Sequence, residues 1–252
     1  MKKIVSLFAV TAAMAGSAHA GVILSDNFDS YTTGNLVGQG GWTQTSTVST
    51  NQIQVTGGAL VIGSTGGQDI YNGLGTLSTA SGSILEADFS LDMVTPTTTA
   101  TTGDYFFHFG TTLGGTSGFY GKVFAKTDAL GNLYLGLSTL STSTITYGAA
   151  LTEGVAHTIS LIYSFNGGIG LDTLALSVDG NSYATYTSLG ADTAPNSIVE
   201  ANVRQGTSGN YPSLTLDNLV VSYTAAVPEP ATFAIMGLGA AFLGLRRRHK
   251  LA

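Results

Sequence analysis

Ile84-Leu85-Glu86-Ala87-Asp88-Phe89-Ser90-Leu91-Asp92 is the stretch whose reading decides the fold. Leu85, Ala87, Phe89 and Leu91 fall on one side of an extended chain, and Glu86, Asp88, Ser90 and Asp92 on the other. That period of two marks a strand with one buried face. The pattern recurs outward from it. Ile159, Leu161 and Tyr163 share a face, as do Leu174, Leu176 and Val178. Tyr105, Phe107 and Phe109 alternate with Phe106 and His108. Late in the chain the parity changes: Leu214 and Leu216 are even, whereas Leu219, Val221 and Tyr223 are odd. A one-residue shift flips every side chain, so a bulge or bend is expected around Asp217-Asn218. Gly pairs at 57–58, 66–67, 114–115 and 167–168 punctuate these runs, and Asp179-Gly180 and Leu130-Gly131-Asn132 read as hairpin turns. No amphipathic helix interrupts them. The expected class is all-β, with two antiparallel sheets packed face to face.

Composition agrees. The chain has 252 residues, 34 of them glycine, no cysteine and only 10% charged side chains. Without cysteine there are no disulfide staples, thiolate metal sites or thiol nucleophiles. Between residues 21 and 227, three basic residues (Lys122, Lys126, Arg204) stand against 14 acidic ones, a formal charge of −11. A body so acidic does not track a phosphate backbone, which excludes nucleic acid as a partner.

The two ends read as addresses. Lys2 and Lys3, an apolar run from Ile4 to Ala15, and Ala18-His19-Ala20 have the layout of a secretory signal peptide over residues 1–20, with cleavage expected between Ala20 and Gly21. At the other end, Val227-Pro228-Glu229-Pro230 precedes fifteen residues, Ala231 to Leu245, in which only Thr232 is polar. As a helix they rise about 22 Å, short of the roughly 30 Å hydrocarbon core. Arg246, Arg247, Arg248 and Lys250 follow as a basic stop that stays on the cytoplasmic side. The prolines keep the helix from running back into the body.

These terminal residues resemble the PEP-CTERM sorting signal of Gram-negative bacteria: Pro228, Glu229 and Pro230, a short apolar helix, an Arg-rich end. The resemblance covers 227–250. It implies recognition by a membrane-embedded exosortase at the three motif residues, transient inner-membrane anchoring, cleavage near the motif, and release to the envelope or an exopolysaccharide matrix. An ordinary C-terminal membrane anchor is the alternative.

The body, 21–226, carries a second resemblance. Asp26-Asn27-Phe28-Asp29-Ser30-Tyr31 with Gly38-Gln39-Gly40-Gly41-Trp42 is similar to the opening of concanavalin A-like (laminin-G-like) jelly-roll domains. Residues 156–163 with 176–180 resemble their paired central strands, although Ala156 stands where an aromatic often precedes the central His. Residues 216–221 resemble the closing strand, which in that fold returns beside the first. The resemblance implies a jelly-roll sandwich and a carbohydrate ligand. It also offers Asp26, Asp29 and Asp217 as candidate ligands for a structural calcium ion where the chain ends meet, the expected reading of these side chains being turn-capping instead.

Catalytic chemistry finds little support. Jelly-roll β-glucanases align Glu, Asp and Glu on one strand, and Ser90 occupies the third position after Glu86 and Asp88. His108 and His157 lack a G-x-S-x-G partner or a metal-binding pair and read as ordinary strand residues. Trp42 reads as core. Tyr105, Tyr120, Tyr134, Tyr147 and Tyr211 are scattered, and the Thr-rich runs 95–102 and 138–146 read as polar surface open to glycosylation. The expected protein is an exported, non-enzymatic structural or adhesive component that binds polysaccharide and needs no cofactor. A jelly-roll hydrolase using Glu86 and Asp88, and a matrix protein without a ligand, are the alternatives.

Overall fold

The computed structural model describes residues 19–45, 52–63, 67–95, 101–139, 144–152, 154–167, 171–187, 194–206 and 212–227. Residues 1–18, the motif Pro228-Glu229-Pro230, the apolar segment 231–245, the basic cluster 246–250 and Tyr211 lie outside them. The strands are β1 (Gly21–Asp26), β2 (Gly34–Asn35), β3 (Thr43–Gln44), β4 (Gln54–Thr56), β5 (Ala59–Ile62), β6 (Asp69–Ser78), β7 (Ile84–Thr95) and β8 (Asp104–Gly110). They continue as β9 (Phe119–Thr127), β10 (Leu133–Ser138), β11 (Thr146–Tyr147), β12 (His157–Ser164), β13 (Thr173–Val178), β14 (Asn181–Thr187), β15 (Ser197–Arg204) and β16 (Ser213–Thr224). Among the described residues there is no helix.

Two antiparallel sheets result. One runs β14-β13-β12-β7-β16-β5-β4-β2, with β1 also on β16; the other runs β11-β10-β9-β8-β15-β6-β3. Leu85, Ala87, Phe89 and Leu91 are buried, as the alternation in 84–92 requires. Across the sandwich, Phe89 meets Phe106 and Phe107 at ring-centroid distances of 6.2 and 5.5 Å. Burying side chains of this size stabilises by about 1.5–3 kcal/mol each, which makes this seam the main adhesive between the sheets. Trp42 is core, as expected.

The first and last strands pair, Gly21 opposite Tyr223 and Asp26 opposite Leu219. The parity change in β16 is a bulge: the register on β7 slips between Asp217 and Val220, and Asn218 takes φ 54°. Asp217 stabilises that bend by accepting from the Asn218 amide at 2.7 Å.

The turns also follow the sequence. Val178 pairs with Asn181, and Asp179 and Gly180 take φ 51° and 75°, the two positive values of a type I′ hairpin. Nothing lies near the Gly180 β-position. Gly180→Ala is therefore a pure backbone test. It should lower stability by about 1 kcal/mol in urea unfolding, the usual penalty for a side chain in the left-handed region.

One strand departs from expectation. Tyr105, Phe107 and Phe109 do not share a face. The register of β8 on β9 slips between Tyr105, opposite Phe124, and Phe107, opposite Val123. Phe106 is the inserted residue, and it turns inward beside Phe107. Tyr105 is thereby sent outward with His108, their rings 5.3 Å apart. This bulge builds the site described next.

Candidate functional site

Directly opposed residues of a sheet point the same way, so register fixes which side chains share a surface. On the β11-to-β3 sheet, Val203 faces Ile70 and Phe107, all core. The alternate residues form the outer face. Asn202 stands between His108 and Tyr71, and Arg204 beside Asp69. Lys126 is opposite Tyr134, Lys122 opposite Ser138, and Tyr147 opposite Gly136. A β-carbon at Gly136 would strike the Tyr147 ring, so glycine there lets Tyr147 lie against the sheet.

All three basic residues of the body gather here, each on a tyrosine. Lys122 Nζ lies 5.0 Å and Arg204 Cζ 4.2 Å from the Tyr105 ring centre. Lys126 Nζ lies 4.0 Å from the Tyr147 centre and 5.7 Å from that of Tyr134. Such cation–π contacts hold long, flexible side chains in place at about 0.5–2 kcal/mol each. Burial pushes the Tyr105 and Tyr147 phenols up to about 12, so both remain hydrogen-bond donors at neutral pH.

Arg204 is clamped by carboxylates on its two flanking strands: Nη1 reaches Asp104 at 2.7 Å and Nε reaches Asp69 at 3.3 Å. Burial pushes the Asp69 carboxyl up to about 6 against the pull of Arg204. The folded state therefore holds a proton that the unfolded chain releases near pH 4, and stability from this group falls as pH rises from about 4 to 6. Asp69→Asn should remove that slope when urea midpoints are compared across this window.

The face also holds polar groups without partners. His108 is fully enclosed, with Phe119 4.3 Å and Tyr105 5.3 Å from its ring, and neither imidazole nitrogen has a hydrogen bond. Burial, then the charges of Lys122 and Arg204, hold it well below the ordinary imidazole value, so it is neutral at pH 7. Asn202 Oδ1 and the Tyr147 hydroxyl are likewise unpartnered. Among the described residues, the one other such side-chain atom is Asp92 Oδ1, on the opposite sheet. Unsatisfied buried polar groups are few in folded proteins, and their concentration here marks the face as more than packing. His108 lies within β8, as expected, and differs from an ordinary strand residue only in that both ring nitrogens are buried without partners.

Next to it, Glu200 accepts from the Gly114 amide at 2.6 Å and from Asn202 Nδ2 at 3.1 Å. The Glu200-Ala201-Asn202-Val203-Arg204 alternation carries this row of polar groups, and it was visible in the sequence although not singled out.

The other candidates lie elsewhere. Glu86 and Asp88 occupy the outer face of the second sheet, opposite Ile162 and Ser160 on β12 and Ser222 and Val220 on β16. The Ser160 hydroxyl donates to Glu86 at 3.2 Å. These flanking residues are hydroxyl and aliphatic, with no aromatic ring on which a sugar could stack. His157 is fully engaged, Nδ1 with Asp179 at 2.7 Å and Nε2 with the Thr152 carbonyl at 3.2 Å, and that bond holds the Asp179 carboxyl below its usual range.

Each candidate calcium ligand is occupied by hydrogen bonds. Asp26 accepts from the Phe28 amide, the Tyr31 hydroxyl and Trp42 Nε1; Asp29 accepts from Asn27 Nδ2; Asp217 caps Asn218. Among the described residues, no group of three or more His, Asp or Glu side chains is placed to hold a metal. Gly21, expected to lead the chain after cleavage, is the first residue of β1.

The fold has clear structural relatives. Alginate lyase Aly36B superposes with a TM-score of 0.55 at 15% identity, over 79% of this chain and 95% of that one. Endo-1,3-beta-glucanase from Streptomyces sioyaensis gives 0.55 at 17%, over 88% and 100%. The CBM2 module of the Lactobacillus casei BL23 phage J-1 evolved Dit gives 0.52 at 9%, over 84% and 99%. At such identities the likeness is one of fold. No curated protein matches the chain in sequence. Residues 226–248 match the PEP-CTERM protein-sorting motif, the mark of an exported protein with a C-terminal anchoring signal. The chain therefore carries a PEP-CTERM sorting motif after a body with the two-sheet jelly-roll fold.

Proposed function

We propose that this is a non-enzymatic polysaccharide-binding protein of the cell envelope or extracellular matrix, delivered there by exosortase processing at Pro228-Glu229-Pro230. The observation that carries the reading is the outer face of the β11-to-β3 sheet. Tyr71, Tyr105, Tyr134 and Tyr147 line it, partly exposed, among fixed polar groups. Aromatic surfaces with a few oriented polar groups are what a sugar ring needs, apolar contact for its C–H face and hydrogen bonds for its hydroxyls. The relatives add support by kind, one being a lyase of alginate and another a glucanase.

The non-enzymatic part rests on the Glu86 and Asp88 surface, which offers no second Glu and no sugar platform. Full-length protein in detergent, applied to a panel of immobilised polysaccharides, should bind at least one of them and release no new reducing ends. Failure to bind any would overturn the reading. Reducing ends produced by the wild type and lost in Glu86→Gln would replace it with a hydrolase.

A further inference from the structure

Polysaccharide binding at this face, taken as the starting point, leaves open whether the polymer is neutral or charged, and the charge layout decides it. Lys122, Lys126 and Arg204 are the only cations between residues 21 and 227. All three sit on this one surface, on β9 and β15. Its own carboxylates are engaged: Asp69 and Asp104 by Arg204, Glu200 by Gly114 and Asn202, and Asp128 by the Tyr134 hydroxyl, Asn132 and the Leu130 amide. The Lys and Arg side chains of the body are therefore concentrated on this one face.

Lys126 is partly exposed, and among the described residues no carboxylate lies within ion-pair distance of it. Its ammonium rests on Tyr147, whose hydroxyl has no partner. A partly exposed ammonium with no carboxylate of its own is a seat for one brought by a ligand, and the Tyr134 and Tyr147 rings beside it offer apolar surface to a sugar. Four strand spacings separate β15 from β11, about 19 Å, room for several sugar units running across the strands.

We propose that this face binds an acidic polysaccharide, with Lys126 taking one carboxylate beside the Tyr134 and Tyr147 rings and the Tyr105–Arg204 pair flanking a neighbouring ring. The ligand class is a polymer of uronic acids. Neutral glucans lack the charge that Lys126 is placed to meet.

Full-length protein in detergent would be titrated with polygalacturonate, with the same polymer after methyl esterification, and with neutral laminarin. Polygalacturonate is expected to bind at least tenfold more tightly than either. Its affinity should fall severalfold between 50 and 500 mM salt, as screening shortens the reach of the charges. Lys126→Met should weaken it about tenfold while lowering the melting temperature by only a few degrees for the lost ring contacts, and Lys126→Arg should restore most of the affinity. Equal binding of the esterified polymer or laminarin would overturn the acidic specificity while leaving polysaccharide binding intact. An unaffected Lys126→Met would do the same. Absence of binding to all three polymers would overturn the specificity, and the polysaccharide reading would fall if the wider panel also stayed empty.

Discussion

Asp26→Ala is expected to destabilise the body by about 4 kcal/mol, the largest loss we anticipate from any polar substitution. The Asp26 carboxylate is the hub of the opening segment. Oδ1 accepts from the Phe28 amide at 2.9 Å, and Oδ2 accepts from Trp42 Nε1 at 2.8 Å and from the Tyr31 hydroxyl. Alanine strands two buried donors, the Trp42 indole and the Phe28 amide, at about 1–3 kcal/mol each. It also frees Tyr31, which packs so closely over Gly40 that a β-carbon there would overlap its hydroxyl. Urea unfolding followed by the fluorescence of the single tryptophan, Trp42, reads the loss directly. A change below 1 kcal/mol would mean that Trp42 is held by packing alone. The same geometry explains the Asn-Phe-Asp and Gly-Gly-Trp pieces of the opening: they are two halves of one knot tied by Asp26.

His108→Leu should act in the opposite direction, raising stability by about 2 kcal/mol. Both imidazole nitrogens are buried without partners, and each such group costs about 1–3 kcal/mol relative to an apolar one. Leucine is of similar volume and suits the enclosure between Phe119 and Tyr105, though it forfeits part of the ring contact. For a domain of this size the gain corresponds to a melting temperature higher by about 4–8 °C. A lower melting temperature would show that the imidazole has a stabilising partner after all. A residue kept against its own stability interest fits a functional surface, where local rules are broken for a reason other than folding.

Much of the fold was legible because its apolar residues are distinct from their neighbours. In 84–92 every core position is flanked by Glu, Asp or Ser, so parity is unambiguous. In 214–223 the switch from even to odd leucines and valines exposed the bulge at Asp217-Asn218. Tyr105-Phe106-Phe107-His108-Phe109 offered no such contrast. Five consecutive aromatic or imidazole rings carry no parity, and the extra residue at Phe106 became visible only through the register of β8 on β9.

The site was hidden for a related reason. Lys122, Lys126 and Arg204 were conspicuous as the only cations of the body, but their meeting depends on β15 lying between β6 and β8, a pairing of strands some 90 residues apart in the chain. No local pattern encodes that. The calcium candidates were legible in part: Asp26 and Asp217 do come with the paired first and last strands, and in this structure hydrogen-bond donors engage their oxygens.

The central claim is that ligand meets the outer face of the β11-to-β3 sheet. Hydrogen exchange of the full-length protein, with and without a polysaccharide it binds, tests this most directly. Protection is expected in Phe119–Thr127, Leu133–Ser138 and Ser197–Arg204, around Lys126, Tyr134 and Arg204. Protection confined to Ile84–Thr95 and His157–Ser164, the strands of Glu86 and its neighbours, would contradict it and move the site to the other sheet.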